Sequence, residues 1–497
     1  MANENGKRIN MKILLKLFSI KLLATILGVT YSILQVKYFG ATRTIEIFFA
    51  AQSLIYLVTS LTQGGQLAEV FLPVFHQLNH KKEKLGYTGL NVIINRMLLF
   101  GTILIAIVFI FAPFFIQLLV PGFSEKDKEF ATLIFRILLP YLYLQIFNSF
   151  FITVLNAEKK FGRAEFLSLT NTIINIASLI ILYPYIKIWA LVTSLLLGKI
   201  VEFLFYITQL YKNQYRYKFI LSIAEFDHKE FFKTMQSTLL YVGSTQIFSI
   251  VLTASISFLP EGTFAIFKYV QNLSNKVRSL FVQPFLTIFF TNYSLLLQKL
   301  KSVNKEFSKN VTSIFNINII VLIGTILMGD LILDFIWGGK KFSHQDVKLA
   351  YIFLIFNILG VFISSISSIY RKMAVAHNKA KKLYFFWAFS QLLSAGITYL
   401  LIRNFKINGL LLIIPINTML LGSVSYLIYK QTKNKLTYPF INKQNLINFS
   451  LIVFAILVKS NWTNYFNNKI ENVIFLSLIV LLFSLYPMYT TYKILKK

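Results

Sequence analysis

Apolar stretches long enough to cross a hydrocarbon layer of about 30 Å recur from one end of this 497-residue chain to the other. They fall near 12–38, 44–74, 88–120, 130–156, 166–186, 188–211, 230–258, 262–292, 309–338, 347–373, 382–402, 406–431, 444–459 and 470–494. Backbone in lipid must satisfy its own hydrogen bonds, which only helices and closed barrels do. The segments are Leu, Ile and Phe broken by Gly and an occasional Pro, without the short alternating runs of a barrel strand. With 56% hydrophobic and 14% charged residues, the chain lies outside the composition of soluble domains. The expected fold class is an all-α membrane protein of about 14 transmembrane helices.

A net charge of +31 would suggest nucleic acid in a soluble chain, so the placement of the charge decides. The amino terminus holds Lys7, Arg8, Lys12 and Lys16, and every second connection after it holds three to five Lys and Arg. The intervening connections hold none to three. Cytoplasmic loops collect basic residues, which places both termini in the cytoplasm, as an even number of spans requires. Basic loops such as NHKKEKLG and YRKMAVAHNKAKK then act as topology signals and contacts to anionic lipid, and no nucleic-acid partner is expected. The amino-terminal apolar run is too long for a signal peptide and reads as an uncleaved first helix.

The chain also repeats. Phe123, Ser124 and Asp127 of VPGFSEKDKEF match Phe342, Ser343 and Asp346 of WGGKKFSHQDVK at a constant offset, and VLNAEKKFGR matches MAVAHNKAKK at the same offset. Parallel repeats are one way to build a transporter around a central site. The expected organisation is therefore two six-helix lobes, 1–215 and 216–432, plus a carboxy-terminal helix pair at 433–497.

Polar residues interrupt four of the spans at three-to-four spacing, the mark of a single helix face. In FKYVQNLSNKVR, Lys268, Gln271, Asn272 and Asn275 form such a stripe, followed by Ser279. Lys21, Thr25, Gly28, Ser32 and Gln35 form another, and Gln52, Tyr56, Thr59, Gln63 and Gln66 a third, with Glu46 towards its outer end. Ser237, Tyr241 and Ser244 make the fourth. A Lys at a helix centre in lipid costs about 2.5–3.5 kcal/mol, so these faces must meet either other helices, as hydrogen-bonding glue, or water. The reading adopted is a shared, water-filled and net-positive cavity suited to an anion such as a pyrophosphate. Its candidate substrate-binding residues are Lys21, Thr25, Ser32, Glu46, Gln52, Thr59, Gln63, Tyr241, Lys268, Gln271, Asn272 and Asn275, with Lys268 foremost. Lys276 and Arg278 lie off the main stripe.

Cysteine is absent, which excludes disulfides, thiol catalysis and zinc–cysteine sites. There is no phosphate-binding loop of the G-x-x-x-x-G-K-[ST] type, and His76, His80, His228, His344 and His377 fall in loops without ligand spacing, so neither a cofactor nor a metal is expected. Asp330 and Asp334, one turn apart, are read as interfacial carboxylates, and Glu69 and Glu202 as partners of loop lysines.

FGATRTIEIFFAAQSLIYLVTSLTQGGQLAEVFLPVF, APFFIQLLVPGF, LLPYLYLQIFNSFFITVLNAEKKFGR, and WGGKKF with RKMAVAHNKAKK resemble the lipid II flippase family (MurJ, formerly MviN). That family belongs to the multidrug/oligosaccharidyl-lipid/polysaccharide exporter superfamily, and the similarity runs over roughly residues 20–385. The resemblance implies fourteen helices, two six-helix lobes, a cationic central cavity, a lipid-tail groove near the last two helices, and alternating access that carries an undecaprenyl-pyrophosphate saccharide to the outer leaflet. It also implies a monomeric transporter of the bacterial inner membrane, not an enzyme, partnered by membrane lipid and a polyprenyl-pyrophosphate-linked saccharide. This chain departs from the family at charged positions. Thr25, Tyr31 and Ser32 stand at two arginines and an aspartate of the first helix, Thr59 and Ser60 at an arginine pair, and Gln271, Asn272 and Asn275 at Asp, Arg and Glu. Glu46 is retained. Losing both signs together strands no buried charge, and implies a divergent member whose cargo is lipid II or another cell-envelope oligosaccharide unit. Two rivals remain: a drug/cation antiporter of the same superfamily, which would use a buried, unpaired carboxylate such as Glu46, and a polyprenyl-lipid glycosyltransferase or polymerase, which would need a larger outward loop with catalytic groups.

Overall fold

Helices account for the structure, a computed structural model that describes residues 4–63, 67–158, 161–226, 228–286, 304–377, 379–432, 442–461 and 469–496. In chain order they are α1 (Glu4–Phe39), α2 (Arg43–Gln63), α3 (Leu67–Lys81), α4 (Leu85–Ile110), α5 (Ala112–Leu119), α6 (Glu125–Leu138), α7 (Pro140–Ala157), α8 (Phe161–Ile186), α9 (Trp189–Lys212), α10 (His228–Ile256) and α11 (Thr263–Val277). Then follow α12 (Asn304–Trp337), α13 (His344–Ala376), α14 (Ala380–Lys430), α15 (Lys443–Ser460) and α16 (Lys469–Lys496). Among the described residues, eight helices are long and apolar enough to cross a membrane, or nine if α6 and α7 count as one bent span.

Proline chemistry divides two of the expected spans. The 88–120 stretch breaks between Ile110 and Ala112, with Pro113 in the first turn of α5. The 130–156 stretch bends by 42° at Leu139, because Pro140 opens α7 and a proline has no N–H to continue the preceding ladder. Conversely, 382–402 and 406–431 are two arms of α14 that meet at Lys406, whose φ of 49° and ψ of −124° leave the helical region. Gly409 lets the arms close, since a Cβ there would lie 2.1 Å from the Leu401 carbonyl oxygen.

The sequence repeat has a physical basis at helix starts. Ser124 caps α6 by accepting from the Asp127 N–H, and Ser343 caps α13 by accepting from the Asp346 N–H, both at 3.3 Å. At Ser343 the box is reciprocal, with the Asp346 carboxylate accepting from the Ser343 N–H at 2.8 Å. Phe123 and Phe342, preceding the caps, are buried. The repeated Phe-Ser-x-x-Asp is thus a helix-entry device.

Contacts divide the chain into Met1–Pro260 and Glu261–Lys497. The division falls one helix later than the 215/216 boundary drawn from the repeat, because α10 packs on α2, α3 and α5. In the first unit, Phe71, Phe75, Leu90, Phe150, Phe151, Tyr206 and Leu210 form an aromatic-rich core of α3, α4, α7 and α9. The connection after α9 is strapped along α4. Asn91 donates to the Arg216 carbonyl, Asn95 to those of Lys218 and Ile220, each at 3.0 Å, and Arg96 to that of Leu221 at 2.7 Å. The Tyr215 and Tyr217 hydroxyls donate back to Asn91 and Asn95 at 2.6 and 2.7 Å. Burial pushes the Tyr215 phenol up, which keeps it a donor. Asn95→Leu removes three strap hydrogen bonds, to the Lys218 and Ile220 carbonyls and from Tyr217, each worth about 0.5–1.5 kcal/mol at these part-exposed positions. Limited proteolysis should then cut 213–226 faster than in the parent chain.

In the second unit, α13 packs on α11, α12 and α14, and both α15 and α16 pack on α12. Asn316 of α12, fully buried, donates to the hydroxyls of Thr490 and Thr491 at 2.9 and 3.0 Å and accepts from Asn448 at 2.8 Å. Asp330 accepts twice from Lys459 of α15 at 2.7 Å, and Asp334 lies 3.2 Å from His344. These carboxylates are partnered, where the sequence suggested only interfacial solvation. Asp330 pins α15 to α12.

Candidate substrate-binding site

The helix from 263 to 286 keeps its polar stripe out of the packing of its own unit. Ile266, Phe267, Val270 and Ser274 lie on the buried side. On the opposite side Lys268 and Gln271 are half-buried, while Asn272, Asn275 and Ser279 are exposed. The Lys268 ammonium sits 5.4 Å from the Phe264 ring centroid, a cation–π arrangement with the ring one turn back on the same face.

At the other end of the stripe the helix changes its winding. Arg278–Val282 forms a π turn, a deviation often found at functional positions. It brings Arg278 beside α13, where the guanidinium donates to Ser368 Oγ at 3.5 Å and faces the charge of Arg371. Arg371 in turn lies over the Trp387 ring at 5.4 Å. Among the described residues, no carboxylate comes within salt-bridge distance of Lys268, Lys276, Arg278 or Arg371. Arg278 and Arg371, facing each other without a counter-charge, attract an anion with several acceptor oxygens, and Lys268 lies about 15 Å back along the same helix.

The first-unit candidates are less alike. Lys21 is exposed, Gln52 and Tyr241 are half-buried, and Ser32 is buried, with its hydroxyl making no hydrogen bond among the described residues. Thr25 and Thr59 donate to the carbonyls of Lys21 and Ile55, one turn back, at 2.9 and 2.8 Å; such back-bonding satisfies a hydroxyl without any substrate. Glu46 is 1% exposed and ion-paired with Arg43 at 2.9 Å, while Arg43 reaches Asp127 at 3.9 Å and lies over Phe123 at 4.3 Å. Arg43, held by Glu46, therefore links the start of α2 to the start of α6. The side chains of Gln63, Glu69, His228 and Ser237, together with Gln66 and the 433–441 linker, lie outside the described residues.

A family model described as "Lipid II flippase MurJ" matches residues 35–484. This chain belongs to the MurJ lipid II flippase family. Curated relatives include the probable lipid II flippase MurJ of Buchnera aphidicola subsp. Baizongia pistaciae, 24% identical over 348 residues, which are 68% of this chain and 67% of the relative. That of Borreliella burgdorferi is 24% identical over 402 residues, 79% of this chain and 78% of the relative. Among solved structures, a lipid II flippase MurJ in an inward closed conformation superposes with a TM-score of 0.78 at 20% identity, covering 97% of this chain and all of that one. A multidrug resistance MATE family transporter of the MOP superfamily, inward-facing, gives 0.65 at 15% identity over 85% of this chain and all of that one. The fold expected for a MurJ member is thus present.

The structure adds to this MurJ member two features that sequence reading missed. Arg371 was visible only as part of a basic inner loop, although it extends the cation cluster. Glu202 does not pair with a loop lysine: it accepts from Lys199 at 2.7 Å and from Asn148 at 3.1 Å. Lys199 and Glu202 are only 7% and 5% exposed, near the middle of α9, with the Lys199 ammonium 5.7 Å from the Tyr141 ring centroid. Their i, i+3 spacing in an apolar run was the available signal.

Proposed function

We propose that this MurJ family member is a flippase that moves a polyprenyl-pyrophosphate-linked saccharide across the bacterial inner membrane by alternating access, with both termini in the cytoplasm. The observation that carries the reading is the set of cations Lys268, Lys276, Arg278 and Arg371, which has no carboxylate at salt-bridge distance among the described residues. A pyrophosphate supplies the charge and acceptor oxygens that such a set lacks. Gln271, Asn272 and Asn275, between the cations, offer neutral donors and acceptors to phosphate or sugar. Lipid II is the cargo for which the relatives are named, and it is the cargo proposed here. The relatives are named as flippases, which supports a transporter and not an enzyme. The antiporter reading loses its main support, because Glu46 is ion-paired. Expression in cells depleted of their own lipid II flippase tests the cargo. Restored growth is expected; arrest with the chain present in the membrane would exclude lipid II and leave another lipid-linked oligosaccharide.

A further inference from the structure

A second polar site lies wholly within the first unit, away from the stripes. The faces of α5 and α6 enclose a cleft of about 590 Å³. Pro113, Phe114 and Gln117 form one wall, and Lys128, Glu129 and Arg136 lie on the other with Glu125. On α6 these charged residues follow i, i+3/i+4 and i+11 spacing, so they share one face, while Ala131, Ile134, Phe135 and Leu138 on the opposite face are buried. The two ends of the cleft differ. Near the 120–124 connection, Glu125 binds the buried Lys128 at 2.9 Å, and Glu129, one turn further along, is exposed with no ion pair among the described residues. Two turns deeper, Arg136 lies over the Phe109 ring at 4.8 Å and donates through Nε to the Phe109 carbonyl at 3.2 Å. Its remaining guanidinium donors make no hydrogen bond among the described residues. Around the cleft, Ile107, Ile110, Phe111, Phe114, Leu118 and Leu133 are exposed.

This is a dipolar site set in an apolar surface: an anchored guanidinium deep, a carboxylate with free acceptor capacity shallow, and no net charge across Glu125, Lys128, Glu129 and Arg136. An amphipathic molecule fits it only if its anion lies nearer its hydrocarbon and its cation nearer water. A zwitterionic aminophospholipid has that order, with the phosphate next to the glycerol and the primary ammonium beyond it. We infer that the α5–α6 cleft binds the head group of a phosphatidylethanolamine-type lipid, Arg136 holding the phosphate and Glu129 the ammonium, with the acyl chains along the exposed apolar side chains. The assignment uses neither the cation cluster nor the flippase reading. Phosphatidylglycerol would satisfy Arg136 equally but offer Glu129 only neutral hydroxyls, weaker donors to a carboxylate than an ammonium.

Native mass spectrometry of the purified full-length chain, with phosphatidylethanolamine and phosphatidylglycerol of identical acyl chains in competition, tests this. The parent protein should retain phosphatidylethanolamine by about tenfold over phosphatidylglycerol, the ratio that one charge-assisted hydrogen bond provides. Arg136→Gln should lose both lipids. Glu129→Gln, at an exposed position where folding is undisturbed, should lose the preference and keep phosphatidylglycerol. Equal retention of the two lipids by the parent chain overturns the assignment, as does an unchanged preference in Glu129→Gln.

Discussion

Glu202→Leu should destabilise the protein by about 3–5 kcal/mol, because it leaves the Lys199 ammonium buried without a counter-charge. The ammonium is held at 2.7 Å from the carboxylate and is almost inaccessible, so it cannot swing out to water. Asn148, which donates to the same oxygen at 3.1 Å, loses its acceptor as well. Glu202→Gln should cost less, since an amide oxygen still accepts from both donors. The paired replacement Lys199→Met with Glu202→Leu should return most of the loss, as buried ion pairs exchanged for apolar side chains of similar volume commonly do. Thermal unfolding in detergent reads all three. A single Glu202→Leu variant as stable as the parent would show that Lys199 is solvated and that the pair is not buried in the membrane-embedded protein.

The second large effect is on transport and leaves stability alone. Removing Lys268, Arg278 and Arg371 together should abolish translocation, because a hydrogen bond from a charged donor to phosphate is worth about 1.5–3 kcal/mol and each such loss weakens cargo binding by roughly tenfold or more. Folding should survive, since none of the three has a carboxylate partner among the described residues and no buried anion is stranded. The contrast with Glu202 is the diagnostic: cations that serve structure are paired, and cations that serve an anionic ligand are left open. The triple glutamine variant, matched for surface expression, should fail in flippase-depleted cells while melting within a few degrees of the parent.

How far the sequence carried this account differs between residues. The stripe of Lys268, Gln271, Asn272 and Asn275 was legible because period alone places residues on a helix face, and the packing of Ile266, Phe267 and Val270 on the opposite side follows from the same period. Arg371 was not, because charge counting by loop assigns a basic residue to topology and cannot tell that a π turn at Arg278 brings a neighbour to it. Glu202 was misread for a related reason. Its apolar helix continues to Lys212, so Glu202 lies mid-helix and not at an inner end. The repeat at Phe123 and Phe342 was visible as matched letters, but its meaning as a pair of helix caps needed backbone geometry. Asn91 and Asn95 gave no signal at all, since buried amides in an apolar run acquire a role only when a distant extended segment supplies the carbonyls.

In the proposed function the open cation set anchors a pyrophosphate. Reconstitution of the full chain into liposomes, with a fluorescent saccharide carried on either a polyprenyl pyrophosphate or a polyprenyl monophosphate, tests that most directly. Protein-dependent translocation of the pyrophosphate cargo, slower movement of the monophosphate cargo, and loss of both in the Lys268→Gln, Arg278→Gln and Arg371→Gln triple variant are predicted. A triple variant that moves the pyrophosphate cargo as fast as the parent would contradict it.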